Sequence, residues 1–374
     1  PIRNPARSRA RFAQVIDQLV EVEMVTPNQA AQLTDRDHEN AFQIPARVQY
    51  FPDEVPPPRT YFSAALTDYL LNRSDILGNT YDERFSRLYR GGLTIETTLD
   101  PTLQTYAESA RGVLPDTEQG FDAALLSLDT NTGAVVAMVG GRSFAESEVN
   151  MALAPRQTGS SIKYFILAAA LQAGVQSNDM IDGVVPCTLP NPGNPDEPFE
   201  ITNAVSRQTD TLAAMTMYSI NCAYARLSQV VGLNRVVDMS YRMAHSPWFY
   251  KGQDPAEREP MQPYASLATG ANEMAPVDMA AGMQTIANEG LHKQPYLVQR
   301  ITDASGEVVY EHEDPGTQVL DRGVALEATD VLKGVLNGGT GRRGALANGV
   351  PAIGKTGTQE DNTNAWFVGA TRSL

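Results

Sequence analysis

RQTGSSIKYFILAAALQAG, residues 156–174, passes abruptly from small and polar to a run that is apolar nearly all round. A helix with no polar face has nothing to offer water, so the segment from Lys163 onward is predicted at the centre of a domain core. Just upstream, from Phe121, the sequence reads ALLSLD, TNTG, AVVAMVGG. Two short runs with β-branched residues around a turn at Gly133 predict an antiparallel hairpin; a buried helix is the competing reading. Downstream, helices are expected over 203–217, 222–231 and 275–289, and strands at YLVQRITD, EVVYEHE and AWFVGAT. Helices mixed with hairpin-like strands give an α+β class, an antiparallel sheet flanked by helices.

The N-terminal third reads differently. Residues 1–45 are predicted helical, with Thr26 as N-cap and Pro27 in the first turn of the second helix, but they carry too little apolar surface for a domain. FPDEVPPPRT at 51–60 is read as an extended linker. RTYFSAALTDYLLNRS follows as an amphipathic helix, GGLTIETTL as a strand, and TLQTYAESARGVL as a helix opened by Asp100 and Pro101. The composition breaks at PDTEQG, which gives boundaries of 1–45, 46–120 and 121–374.

Composition narrows the function. A chain of 374 residues exceeds one ordinary core, and 42% apolar with 20% charged residues is a folded composition. A net charge of −15 repels phosphate backbones, so nucleic acid is not expected as a partner. No apolar run reaches the 18 or so residues that span a bilayer, and PIRNPARSRARF is no signal peptide. His38, His245, His292 and His312 are scattered and the two cysteines too few for a Cys-rich zinc site, so no metal is expected. There is no GxSxG elbow. GVPAIGKT, Gly349 to Thr356, matches a phosphate-binding pattern, but a strand rather than a helix is expected after it, so nucleotide binding is not.

Three short motifs remain. In Ser160-Ser161-Ile162-Lys163, a hydroxyl and an amine three residues apart share a helix face at the positive end of the helix dipole. Burial beside a core helix would lower the amine's pKa toward that of a usable base. Alone, such a motif is more often an N-cap serine beside a surface lysine. Ser219-Ile220-Asn221, between two helical runs, could present a hydroxyl and an amide to the first motif, or simply cap a helix. In Lys355-Thr356-Gly357-Thr358 strand alternation puts Lys355 and Gly357 on one face, Thr356 and Thr358 on the other. Such an edge suits a carboxylate, and the bare Gly357 would let a substrate backbone approach. Only five lysines occur in the chain, and two of them fill the two lysine positions.

The ordered set SxxK, SxN and KTG resembles that of the penicillin-interacting serine acyltransferases. YRGGLTIETTLDPTLQ, RQTGSSIK, ASLATGANEMAPVDMAAGMQTIANEG, LKGVLNGGTGRR and GKTGT…AWFVGAT resemble successive segments of class A (bifunctional) penicillin-binding proteins. The resemblance implies a penicillin-binding/β-lactamase-like transpeptidase fold over 121–374, a small mixed linker domain over 46–120, and over 1–45 only the tail of a glycosyltransferase domain. Catalytic glutamates and a membrane anchor would lie upstream, and further strand and helix beyond Leu374. Glycan elongation is therefore not expected of this chain, and its place would be the extracytoplasmic face of the bacterial membrane.

By the same resemblance Ser160 is the nucleophile, Lys163 its base, and Ser219 the proton relay to the departing amine. Asn221 binds the substrate amide and holds Lys163. Lys355, Thr356, Gly357 and Thr358 bind the terminal carboxylate of a stem peptide ending in D-Ala-D-Ala, or of a β-lactam. The backbone N–H groups of Ser160 and Thr358 form the oxyanion hole, and no cofactor is implied. Cell-wall synthesis or division proteins are the protein partners the family would suggest. Proline is usual in the family where Thr158 and Tyr164 stand, and aspartate where Asn364 stands. A class A β-lactamase would need a glutamate in an ExxLN-type segment for deacylation, and none lies between SxN and KTG. Outside the cytoplasm Cys187 and Cys222 could form a disulfide tying a Pro-rich loop beside Asn221, the alternative being two buried thiols.

Overall fold

The computed structural model describes residues 5–31, 57–115, 120–192, 194–248, 261–359 and 363–374. The chain divides into two units, Pro1–Pro57 and Pro58–Leu374. Within the first, a helix spans Pro5–Glu21, and Thr26 caps a short Pro27–Ala30 helix through a reciprocal capping box with Gln29. Most of the expected 51–60 linker, and most of the break at PDTEQG, lie outside the described residues.

The larger unit is built on the apolar helix. Lys163 to Leu171 are all buried. Three helices surround it, Asn221–Val231, Leu233–Ala244 and Arg322–Asn337, and together they carry the larger hydrophobic cluster. A second cluster joins Tyr61, Phe62 and Leu70 of the N-terminal helical segment to Val135, Val277, Leu297 and Ile301. At about 25 cal/mol per Å² of apolar surface, such clusters provide the main drive for folding.

All strand pairs are antiparallel among the described residues. The predicted hairpin forms from Leu125–Leu128 and Val135–Val139, with Gly133 at φ 80° in its turn. Thr94–Thr97 pairs with Val298–Thr302, which pairs in turn with Val308–Glu311. Ile353–Thr358 pairs with Ala365–Ala370, setting Lys355 opposite Val368 and Thr358 opposite Ala365. Asp100 caps the Pro101–Gly112 helix by accepting from the N–H groups of Thr102 and Leu103.

Several elements depart from expectation. The helix expected over 203–217 begins only at Leu212, because Arg207–Thr211 is a strand paired with Met180–Gly183. Tertiary pairing overrides local pattern there. The segment after Asp68 continues as a π-helical turn, Tyr69–Arg73. The helices Tyr81–Arg90, Leu233–Ala244 and Arg322–Asn337 are further elements that the pattern above did not anticipate. Lys355 and Thr356 lie within a strand and do not open a helix, so the GVPAIGKT match is no phosphate loop.

Cys187 and Cys222 are joined by a disulfide, with Cα atoms 6.0 Å apart. It links the Cys187–Leu189 strand, hairpinned with Phe199–Ile201, to the first turn of the Asn221–Val231 helix. Closing the intervening 35 residues should restrict the unfolded chain by about 3–4 kcal/mol, an upper figure. Cys187→Ser should therefore lower the urea midpoint markedly under non-reducing conditions and have no further effect once the wild type is reduced. Two alkylatable thiols in the non-reduced, denatured protein would refute the bridge.

Candidate active site

The three motifs converge at the mouth of the apolar helix. Gly159–Ile162 forms a 3-10 turn that feeds directly into the helix, so Ser160 and Lys163 fall on one side of it. Lys163 Nζ lies 3.0 Å from Ser160 Oγ. The second segment enters through the tight bend between Leu212–Met217 and Asn221–Val231, where Ser219 adopts φ 58°. A non-glycine residue in the left-handed region costs energy, and the bend is held by Ser219 N–H to Thr216 O and Ile220 N–H to Met215 O. Strain of this kind is common where a side chain must be aimed.

Lys163 is the hub. Its Nζ is 2.6 Å from Asn221 Oδ1, 2.7 Å from the Ser219 carbonyl and 3.3 Å from Ser219 Oγ. From the other side Lys355 Nζ donates to Ser219 Oγ at 2.8 Å and to the Thr356 carbonyl at 2.9 Å. Ser160 Oγ is also 3.3 Å from Asn221 Oδ1. One hydroxyl, that of Ser219, thus bridges two amines.

Both lysines are fully buried, and neither has a carboxylate partner among the described residues. Burial, reinforced by the neighbouring Lys355 charge, holds the Lys163 amine well below its ordinary range. Burial alone brings Lys355 down to about 7. The donor inventory fits a neutral Lys163. Two of its neighbours, the Ser219 and Asn221 carbonyl oxygens, can only accept, and a neutral amine has two N–H groups to give them. Its lone pair is then left facing Ser160 Oγ. The Tyr224 ring, with its centroid 5.4 Å from Nζ, closes the far side.

The KTG strand runs hard against the nucleophile turn. A Cβ on Gly357 would stand 2.5 Å from Thr158 O and 2.7 Å from Ser161 N. This corrects the expectation that Gly357 leaves room for a substrate backbone: the space is taken by the protein's own Thr158–Ser161 segment. Gly159, at φ 54°, makes the reciprocal approach, its Cβ position lying 2.6 Å from Thr358 O. The backbones of Ser160 and Thr358, the expected oxyanion donors, are thereby held side by side. Thr356 and Thr358 alternate away from that contact and are the less buried residues of the strand's end.

Other contributors had not been singled out. Tyr224 lies one helical turn beyond Asn221, a spacing that could have flagged it. Thr340 Oγ1 is 2.7 Å from Thr356 Oγ1, so the GGTGRR loop touches the carboxylate edge. Trp366 Nε1 donates to Gln157 O at 2.9 Å, pinning the neighbouring strand to the nucleophile turn. Tyr164, at a position where proline was expected, sends its hydroxyl to Met279 O at 2.6 Å and fits because Gly282 has no side chain.

Comparison with known proteins converges on one family. A family model described as the penicillin binding protein transpeptidase domain matches residues 123–373. Penicillin-binding protein 1A of Aquifex aeolicus is 33% identical over 259 residues, covering 69% of this chain and 33% of the relative. Penicillin-binding protein 1A of Mycobacterium tuberculosis is 28% identical over an alignment of 402 residues that takes in 100% of this chain and 44% of the relative. The chain thus spans between a third and a half of the length of these curated relatives. Among solved structures, PonA1 of Mycobacterium tuberculosis in complex with penicillin V superposes with a TM-score of 0.68 at 28% identity, over 82% of this chain and 81% of that one. Penicillin-binding protein 1A of Haemophilus influenzae, at 18% identity, shares the fold with a TM-score of 0.65 over 96% of this chain and 70% of that one.

Proposed function

The chain belongs to the penicillin-binding protein transpeptidase family, and from that premise we propose that it is a serine D,D-transpeptidase that cross-links peptidoglycan stem peptides and is acylated by β-lactams. The observation that carries this reading is the buried, charge-unpaired Lys163 amine within 3.0 Å of the Ser160 hydroxyl. Lys163 takes the Ser160 proton as Oγ attacks the carbonyl between the two terminal D-alanines. The oxyanion is received by the N–H groups of Ser160 and Thr358. Ser219, hydrogen-bonded to Lys355 and beside Lys163, hands a proton to the departing D-alanine amine. Asn221 orients Lys163 and the substrate amide. Lys355, Thr356 and Thr358 receive the terminal carboxylate, which also pulls the Lys355 pKa back up. An amine from a neighbouring stem then displaces Ser160 Oγ.

The domain reading accompanies this one: 121–374 as transpeptidase, 46–120 as linker and 1–45 as the tail of a glycosyltransferase domain. The parent protein would then polymerise glycan as well, at the outer face of the bacterial membrane, alongside cell-wall synthesis or division proteins. Among the described residues no helix is long and apolar enough to cross a membrane.

Incubating the chain with a peptide ending in D-Ala-D-Ala and glycine as acceptor should release D-alanine and yield the glycine-capped peptide. Failure to release D-alanine, together with failure to form any penicillin adduct, would remove the proposal.

A further inference from the structure

Beside the carboxylate edge lies a groove of about 500 Å³ lined by Tyr218, Gly338, Gly339, Thr340, Arg342 and Arg343. Both ends of its wall are tied to the catalytic residues. Tyr218 immediately precedes Ser219, and Thr340 hydrogen-bonds Thr356 through their hydroxyls. Gly339 is needed for the fit: its Cβ would stand 2.3 Å from Met217 O, and Thr340 N–H donates to that same carbonyl at 3.1 Å. The Tyr218 ring is fixed from behind by the Arg207 guanidinium, 4.4 Å from its centroid, which is itself paired with Asp210.

Arg342 and Arg343 are exposed, and neither guanidinium has an ion-pair or hydrogen-bond partner among the described residues. In a chain of net charge −15 two adjacent unpaired guanidiniums are a local inversion of the field. A guanidinium presents a fork of N–H donors that matches a carboxylate.

The groove also has a definite place in the reaction, given the transpeptidase reading on which this inference rests. Ser219 serves the departing amine and Thr356 the carboxylate of the departing residue, so the groove adjoins the leaving-group side. The incoming amine must occupy that side, because aminolysis retraces acylation. We propose that this groove is the acceptor subsite, and that Arg342 and Arg343 orient the acceptor by pairing with a carboxylate of its peptide. The amine nitrogen then attacks the Ser160 ester carbonyl, the C–N bond forms, the C–Oγ bond breaks, and the amine proton returns through Lys163 to Ser160 Oγ.

The test compares acceptors with and without that carboxylate, each at the same concentration of unprotonated amine. Glycine, diglycine and triglycine are each offered, as free acid and as C-terminal amide, to the acyl-enzyme formed from a D-Ala-D-Ala peptide, with transfer and hydrolysis products counted together. The wild type should prefer the free acid by at least tenfold for one or more lengths. R342Q/R343Q should lose that preference while its acylation by penicillin stays within twofold, which also reports an intact fold. R342K/R343K, which keeps the charge, should retain part of the preference. Equal transfer to acid and amide by the wild type, or a preference that survives in R342Q/R343Q, would overturn the subsite while leaving the transpeptidase intact. A wild type that forms no penicillin adduct would overturn both.

Discussion

Incubated with benzylpenicillin, the wild-type chain should gain a single covalent adduct by intact mass, and Ser160→Ala should gain none. The expectation rests on position more than on residue type. Two serines sit side by side in the nucleophile turn, and only one is placed to react. Ser161 is fully buried and its hydroxyl donates to Thr158 O at 2.6 Å, so it is committed to holding the turn. Ser160 Oγ is instead directed at the Lys163 amine and the Asn221 amide oxygen. Removing it deletes two hydrogen bonds at a partly buried position, a loss of about 1–3 kcal/mol that leaves the core packing untouched. Ser160→Ala should therefore stay folded, melting somewhat below the wild type, while failing to label with a fluorescent penicillin. Ser161→Ala is the control. It should label, at a lower melting temperature. Labelling of the Ser160 variant would show that another nucleophile carries the chemistry.

The two classes of information in the sequence differ in kind. Periodicity and capping are local, and they located the Leu125–Val139 hairpin, the Asp100 and Thr26 caps and the apolar helix. The grouping of Ser160, Lys163, Ser219, Asn221 and Lys355 is instead what the resemblance to a family implies, carried by the ordered motif set. What stayed illegible depends on partners remote in the chain. Arg207–Thr211 is polar and reads as the start of a helix; it is a strand only because Met180–Gly183 supplies its hydrogen bonds. The purpose of Gly357 could not be read from a strand alone, since the atoms that need its missing side chain belong to residues two hundred positions earlier. Thr340 touches Thr356 across a loop whose path no local pattern dictates. The Ser219 backbone is a further case. A serine at φ 58° breaks the local rule, and it does so at the residue whose hydroxyl must reach two amines at once.

Replacing Lys163 with alanine should slow penicillin acylation by about 10²–10⁴-fold, the range of a lost general base, and should change the shape of the pH profile as well as its height. Lys163 and Lys355 titrate as a pair bridged by Ser219 Oγ. Both amines are destabilised as cations by burial, and their mutual repulsion favours the loss of one proton; the mechanism assigns that first loss to Lys163, whose amine is held well below its ordinary range. The reactive form has Lys163 neutral and Lys355 charged. Raising the pH through the Lys163 value therefore increases the acylation rate. Raising it further, through about 7 for the free enzyme, decreases the rate as Lys355 loses the charge that meets the carboxylate. The profile is a bell whose acid limb belongs to Lys163 and whose alkaline limb belongs to Lys355. Lys163→Ala should erase the acid limb and keep the alkaline one. Lys355→Ala should remove the alkaline limb, and it should move the acid limb upward, because a neighbouring positive charge no longer discourages protonation of Lys163. Because Lys163→Ala leaves the Ser219 and Asn221 carbonyl oxygens short of a donor, its melting temperature must be measured beside its rate. A folded Lys163→Ala variant that acylates at the wild-type rate, or that keeps the acid limb, would transfer the role of base from Lys163 to another group.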